Sequence, residues 1–213
     1  MRTRTWEAII FDFDGVVVES GEIKTQAFAN LYREHGETIM AEVARYHVLH
    51  GGMSRYEKFR YFQHHLLEKP PLTVEEERIL DTRFSELVVE AVIASESVAG
   101  AAELIRREAE RIPLFVASGT PEAELKTIVA LRRLARYFTA VRGSPAPKQK
   151  LIADILSGHA LAAERVLMIG DALIDYQSAR INNVSFIGRV RPGDKNPFPD
   201  HVDILPDLSS LLV

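Results

Sequence analysis

The chain has 213 residues, 46% of them hydrophobic, with a formal net charge of −4 and no cysteine. That length supports one large core, or a core with an appendage, without cross-links. Lack of cysteine excludes disulfides and thiolate metal sites and fits a reducing compartment, the mild negative charge offers no basic field for nucleic acid, and no apolar run is long enough to span a bilayer.

Met1-Arg2-Thr3-Arg4-Thr5-Trp6 leads into Glu7, Asp12 and Asp14 rather than into an apolar segment with a cleavage site. No signal peptide is therefore expected, and a cytoplasmic location is. Glu7 to Phe11 reads as a first strand. Helical spacing follows from Glu22 to His35, with Ile23, Ala27 and Leu31 on one face and Gly36 as the stop. Ser54 to Lys69 is a second helical stretch, striped by Tyr56, Phe59, Phe62 and Leu66, which read as core. His64 and His65 are adjacent, so they are expected to point apart and to hold no metal. Thr73 is expected to cap a helix that carries Glu75 to Glu77 in its first turn. That helix runs to about Ser95, with Ile79, Leu80, Phe84, Leu87 and Val88 inward.

From Gly100 the pattern alternates. Helices are expected over Ala101–Arg111, from a Thr120 cap to Leu134, over Lys148–Leu156 and over Ile174–Asn182. Strands are expected over Pro113–Ala117, Phe138–Arg142, Arg165–Ile169 and Val184–Ile187. Arg191 to Pro206 reads as an ordered surface loop. Such alternation implies an α/β fold: a Rossmann-like parallel sheet core with right-handed crossovers. The stretch between the first strand and Ser97 carries helix signals only. The expected organisation is a core formed by 1–15 and 98–213 and an inserted all-helical cap over 16–97.

Three apolar runs stop abruptly at polar residues, where α/β sheets bind ligands. The first ends in Asp12-Phe13-Asp14-Gly15. Residues two apart on a strand point the same way, so both carboxylates can share a site, and Gly15 lets the backbone turn. Paired carboxylates of this kind suit Mg²⁺; the plainer alternative is a solvated acidic loop. The run over 166–169 ends in Gly170-Asp171, with Asp175 one helical turn on. Those two acids can face one another or simply cap the helix. The run over 114–117 ends in Ser118 and Gly119, whose hydroxyl and backbone amide can cradle phosphate at a helix start; Thr120 reads as an ordinary cap. Lys148 follows Ser144-Pro145-Ala146-Pro147 and would bring a cation beside the acids. Lys150 is its rival, since at most one of the two faces the site.

Phe11-Asp12-Phe13-Asp14-Gly15-Val16, Val116-Ala117-Ser118-Gly119, Lys148, and Gly170-Asp171 through Asp175 together resemble the four motifs of the haloacid dehalogenase-like superfamily, in order. The helical insert resembles the cap of its phosphoglycolate phosphatase and β-phosphoglucomutase branch, and Val16–Ser20 and Ile181–Arg189 also resemble that branch. The branch usually has lysine before a Pro-x-Pro run; here Ser144 precedes that run and Lys148 follows it. The resemblance implies a Mg²⁺-dependent phosphatase acting on a small phosphorylated metabolite. Asp12 would be the nucleophile that forms an aspartyl phosphate, and Asp14 the acid and base. Ser118 and Gly119 would hold phosphate oxygens, and Lys148 would neutralise charge. Asp12, the carbonyl of Asp14, Asp171 and Asp175 would hold the metal. An acid at Asp14 argues for ester chemistry over dehalogenation. A phosphomutase, a dehalogenase and a non-catalytic binder stay open as alternatives.

Within the insert, His47, His50, Gly51-Gly52, Ser54, Arg55, Lys58 and Arg60 stand out. Gly51-Gly52 can loop toward the core, and Arg55 can bind an oxyanion of the substrate in bidentate fashion. Lys58 and Arg60 read as ordinary solvated charges. No nucleic-acid or membrane partner is expected.

Overall fold

In the computed structural model, which describes residues 6–212, the apolar runs form one parallel sheet. Positions 1–5, where no signal peptide is expected, lie outside the described residues. The strands are β1 (Ala8–Phe11), β2 (Leu114–Pro121), β3 (Ala140–Ser144), β4 (Val166–Gly170), β5 (Ser185–Arg189) and β6 (Ile204–Leu205). Their order is β3-β2-β1-β4-β5-β6. Phe11 of β1 sits opposite Val116 on one side and Ile169 on the other. All four residues of β1 are buried. A strand covered on both faces needs an unbroken apolar run, and this one has it.

Alternate residues feed two apolar layers. Ile9, Phe11, Val116 and Ile169 pack on one face, and Ala8, Ile10, Phe115 and Met168 on the other. The helices α5 (Ala101–Glu108), α6 (Glu122–Leu131), α7 (Lys148–Gly158) and α8 (Leu173–Ile181) provide the crossovers. Strand order reverses between β1 and β4, the position at which open α/β sheets form a ligand crevice. β6 lies inside the segment expected to be loop; it is two residues long and pairs through Gly188–Ile204 and Arg189–Leu205.

Between β1 and α5 the chain forms α1 (Gly21–Leu31), α2 (Glu37–Leu49), α3 (Arg55–Tyr61), a π-helical turn (Phe62–Leu66) and α4 (Val74–Ala94). Phe28 is the hub of this insertion: its ring lies 4.2 Å from Phe84 and 5.9 Å from both Phe59 and Phe62. The two ends of the insertion are tied together. Val18 bridges Ser97, Glu19 N–H donates to the Glu96 carbonyl, and Val98 N–H donates to the Val17 carbonyl.

Several boundaries differ from expectation. The first helix stops at Leu31 and tightens into a 3₁₀ turn over Arg33–His35. Gly36, with φ at 89°, then opens α2 rather than only closing what precedes it. α2 itself was not expected. Val43 is its one buried residue, so its sequence carries almost no apolar stripe. The Ser54–Lys69 stretch is helical only to Tyr61 before the π turn widens it, and the His64 and His65 rings meet at 4.6 Å instead of pointing apart. In α4, Phe84, Val88 and Val92 are buried, whereas Ile79 and Leu87 are each 44% exposed. Thr73 caps α4 in a reciprocal capping box with Glu76.

Phe62 is fully buried and touches Phe28, Tyr32 and Tyr46 edge-on. Phe62→Ala should therefore cost about 3–5 kcal/mol, read as a lower urea midpoint with an unchanged m-value.

Candidate active site

The carboxyl ends of β1, β2 and β4 converge on one small cavity. Asp12 follows β1 directly, its N–H donating to the Ile169 carbonyl at 2.8 Å. Its carboxylate is 2% exposed, and one oxygen accepts from Phe13 N–H at 2.7 Å. The other lies 3.1 Å from Lys148 Nζ. Lys148 is itself buried at the first turn of α7 and donates to Asp175 Oδ1. Asp175, in the first turn of α8, accepts from Ala172 N–H through Oδ2 at 3.0 Å. Lys150 is directed away: it is exposed and pairs with Asp154 at 2.9 Å. Helical geometry thus resolves the choice of lysine at this position.

Asp171 completes the acidic group. Oxygens of Asp12, Asp171 and Asp175 all lie within 4.8 Å of one another. Burial pushes the Asp12 carboxyl up to about 7; Lys148 opposes this, while Asp175 and Asp14 add to it. Burial also holds Asp171 well above the usual carboxylate range, reinforced by the charges of Asp12 and Asp175. Two buried acids and a half-buried third, with a single lysine among them, lack positive charge, and a divalent cation would supply it. Their all-oxygen character suits Mg²⁺. Gly15 is required beside them. Its φ is +73°, and a Cβ there would fall 2.0 Å from Asp171 Oδ2.

Asp14 is held differently. Its carboxylate accepts from Lys24 Nζ at 2.5 Å, Ser20 Oγ at 2.6 Å and Thr120 Oγ1 at 2.9 Å. Burial alone would raise its pKa, but Lys24 and the two hydroxyls override it and bring it down to about 2. Thr120 is accordingly not the expected helix cap. It ends β2, accepts from Lys24 Nζ at 2.6 Å and donates to Asp14, while α6 begins after Pro121. Ser118 is buried, its Oγ accepting from Thr120 N–H at 3.1 Å, and it lines the cavity with Gly119.

The insertion closes the other side. The cavity of about 80 Å³ is bounded there by Lys24, His47, Gly52, Arg55 and Lys58. Gly52, with φ +72°, lies against α8 and Lys148: a Cβ would come 2.7 Å from Ile174 Cγ2 and 3.2 Å from Lys148 Nζ. Arg55 is 4% exposed, and its terminal nitrogens reach Asp81 and Ser85 of α4 and both carboxylate oxygens of Glu124 in α6. It therefore fastens the insertion to the sheet layer at the rim of the cavity.

Lys58 corrects the sequence reading. Rather than being solvated it is 1% exposed, with Nζ 2.8 Å from His47 Nδ1. Arg60 is exposed and pairs with Glu77 at 2.8 Å, as a solvated charge would. Lys24 was missed altogether, although a signal existed: it lies at the i−3 and i−4 positions from Ala27 and Phe28, on the apolar face.

A family model described as a haloacid dehalogenase-like hydrolase matches residues 6–181, and the chain belongs to that family. A 5′-nucleotidase of Pseudomonas aeruginosa is 36% identical over 80 residues, covering 35% of this chain and 36% of that protein. The chain thus matches only about a third of the length of that curated relative. Two solved structures share the fold. A β-phosphoglucomutase from Clostridium difficile superposes with a TM-score of 0.76 at 16% identity, over 97% of this chain and 93% of the other. A predicted phosphoglycolate phosphatase from Haemophilus somnus gives 0.73 at 16%, over 99% and 98%. Among the described residues, no helix is long and apolar enough to cross a membrane.

Two variants separate the lysines. Lys148→Ala leaves buried acids unpaired and should cost about 3–5 kcal/mol in metal-free protein. Lys150→Ala loses one exposed i,i+4 pair and should cost only about 0.3–0.5 kcal/mol, both values read by chemical denaturation. Lys58 yields a pH prediction. Burial depresses its ammonium from 10.5 to about 7. Between those values the unfolded chain holds a proton that the folded protein sheds, so this residue makes stability rise with pH from about 7 to 10. Denaturation midpoints across that range should lose this slope in Lys58→Met.

Proposed function

We propose that the chain is a cytoplasmic Mg²⁺-dependent phosphatase of a small phosphorylated metabolite, of the phosphoglycolate or sugar-phosphate type, working through an aspartyl phosphate on Asp12. One observation carries this reading. A buried carboxylate, Asp12, faces a cavity shared with Ser118 and Gly119, with Lys148 at one oxygen and two further acids beside it.

In the first half-reaction an Asp12 oxygen attacks phosphorus, the ester P–O bond breaks, and the leaving oxygen takes a proton from Asp14. In the second, Asp14 takes a proton from water as that water attacks phosphorus, and the Asp12–phosphorus bond breaks. Ser118 Oγ and the Gly119 amide hold phosphate oxygens. Lys148 orients Asp12 and offsets its charge. Asp12, the Asp14 carbonyl, Asp171 and Asp175 would hold Mg²⁺, whose charge lets a carboxylate approach a phosphate dianion. With Lys24, Ser20 and Thr120 as partners, Asp14 is a carboxylate and a weak base. To donate a proton it must first take one up from solvent, which requires Lys24 to let go of it, and an incoming phosphate competes for that same ammonium.

Residues 16–97 act in this reading as a cap on a core of 1–15 and 98–213. Arg55 serves substrate retention by clasping the cap shut through Glu124. A phosphomutase is the second reading, favoured by the shared fold of the β-phosphoglucomutase. It would yield an isomer with little free phosphate. A dehalogenase would instead release halide from 2-haloacids.

The test is phosphate release from a panel of phosphoglycolate, sugar phosphates and 5′-nucleotides with Mg²⁺ titration. Turnover should require Mg²⁺, stop with EDTA, and vanish in Asp12→Asn at unchanged melting temperature. Normal release by Asp12→Asn would exclude the covalent route. Arg55→Ala and Glu124→Ala should each raise KM several-fold for the best substrate; an unchanged KM in both would remove the clasp from substrate retention.

A further inference from the structure

Three cations, Lys24, Arg55 and Lys58, line the cavity and a fourth, Lys148, stands behind Asp12; three of the four have carboxylate partners. Lys24 pairs with Asp14, Lys148 with Asp12 and Asp175, and Arg55 with Asp81 and Glu124. Lys58 has none among the described residues. Its polar partner is the His47 ring nitrogen at 2.8 Å, and its other neighbour is the face of Phe28, with Nζ 5.4 Å from the centroid. Because an ammonium can only donate, His47 Nδ1 accepts and its proton lies on Nε2. Burial, with Lys58 beside it, holds the His47 imidazole well below its usual range, so the pair carries at most the one charge of Lys58.

A buried, unpaired ammonium is costly to fold, and Met would pack equally well against Phe28 at this position. An amine left without a counterion beside an open cavity is placed to hold its proton once an anion arrives next to it. The cavity opens Lys58 and His47 on the insertion side toward Ser118 and Gly119 on the sheet side. An ester whose phosphate occupied the sheet side would extend its far end toward Lys58. The space, about 80 Å³, is enough for a small ester.

We infer that Lys58, oriented by His47, is a specificity residue that binds a second oxyanion, carboxylate or phosphate, at the end of a short substrate opposite the reacting phosphate. This deepens the phosphatase reading and rests on it for the position of the reacting group. It also separates Lys58 from Arg55, whose charge is already balanced within the protein.

The test compares three esters of one two-carbon backbone with the Mg²⁺-loaded enzyme: phosphoglycolate, ethane-1,2-diol bisphosphate and 2-hydroxyethyl phosphate. Calorimetric binding of 3-phosphonopropionate against propylphosphonate repeats the carboxylate comparison without turnover. Wild type should favour an anionic over the neutral far end by about thirty-fold in kcat/KM and in affinity. Whichever of phosphoglycolate and the bisphosphate is preferred identifies the oxyanion. In Lys58→Met, and in Lys58→Gln as a second variant, the ratio should collapse toward unity while the melting temperature at neutral pH holds or rises. A wild-type ratio near unity, or a ratio that persists in both folded variants, would overturn the assignment. If no ester is turned over, the phosphatase reading fails on its own, and the phosphonate comparison still decides the role of Lys58.

Discussion

The site is organised around one buried ammonium. Lys148 reaches from the start of α7 to Asp12 after β1 and Asp175 at the start of α8, and so joins three separate elements of the sheet layer. Removing two carboxylates from water is unfavourable, and a single lysine only partly offsets it. That shortfall is why Asp12 and Asp171 are pushed toward protonation, and why the same arrangement is receptive to a divalent cation. The fold tolerates the imbalance because β1 and β4 are fully buried, fixing the strand ends beyond which these acids stand. Stability is supplied by the apolar layers, and the polar ends are left with unmet electrostatic demand that a ligand can satisfy.

The insertion adds the opposite wall by a different logic. Its own core is aromatic, centred on Phe28, and runs without a break into the apolar layer that holds Leu125, Ile128 and Val129 of α6, while around the cavity its contacts are polar or backbone. Arg55 clasps Glu124, Lys24 holds Asp14 and Thr120, and the Gly52 turn approaches Gly119 and α8 closely. Arg189 at the end of β5 ties the loop after β1 to the sheet, donating to the Gly15 carbonyl at 3.2 Å and pairing with Glu19 at 2.7 Å. The polar side chains that make these contacts, Arg55, Lys24, Thr120 and Arg189, are all buried, so the seam is closed by charge and apolar packing together.

Much of this could be read from the chain alone, for definable reasons. Unbroken apolar runs ending at Asp12, Ser118 and Asp171 announced buried parallel strands, because a strand covered on both faces leaves no alternative pattern. The Thr73–Glu76 capping box was equally local. α2 was illegible because it buries only Val43. β6 was hidden by its brevity and by the prolines around it. The roles of Lys24, Thr120 and Lys58 were missed for another reason: each is defined by a partner on another element, 96 positions away for Lys24 and Thr120 and 11 for Lys58 and His47. A lysine on an amphipathic helix reads as solvated unless its neighbours across space are known, and periodicity does not carry that information. Lys24 on the apolar stripe of its helix was the exception that a stricter reading would have caught.

The bridge at the neck of the insertion carries a wider consequence. Val18 and Ser97 bridge where the chain leaves the sheet layer and where it returns, so departure and return occupy one point. Anything grafted between them meets the same anchorage, whatever its length or content. Helices there can be exchanged, lengthened or resurfaced over generations while the acids and the lysine beneath stay in register. A chain built this way can diversify what it accepts without reinventing how it reacts.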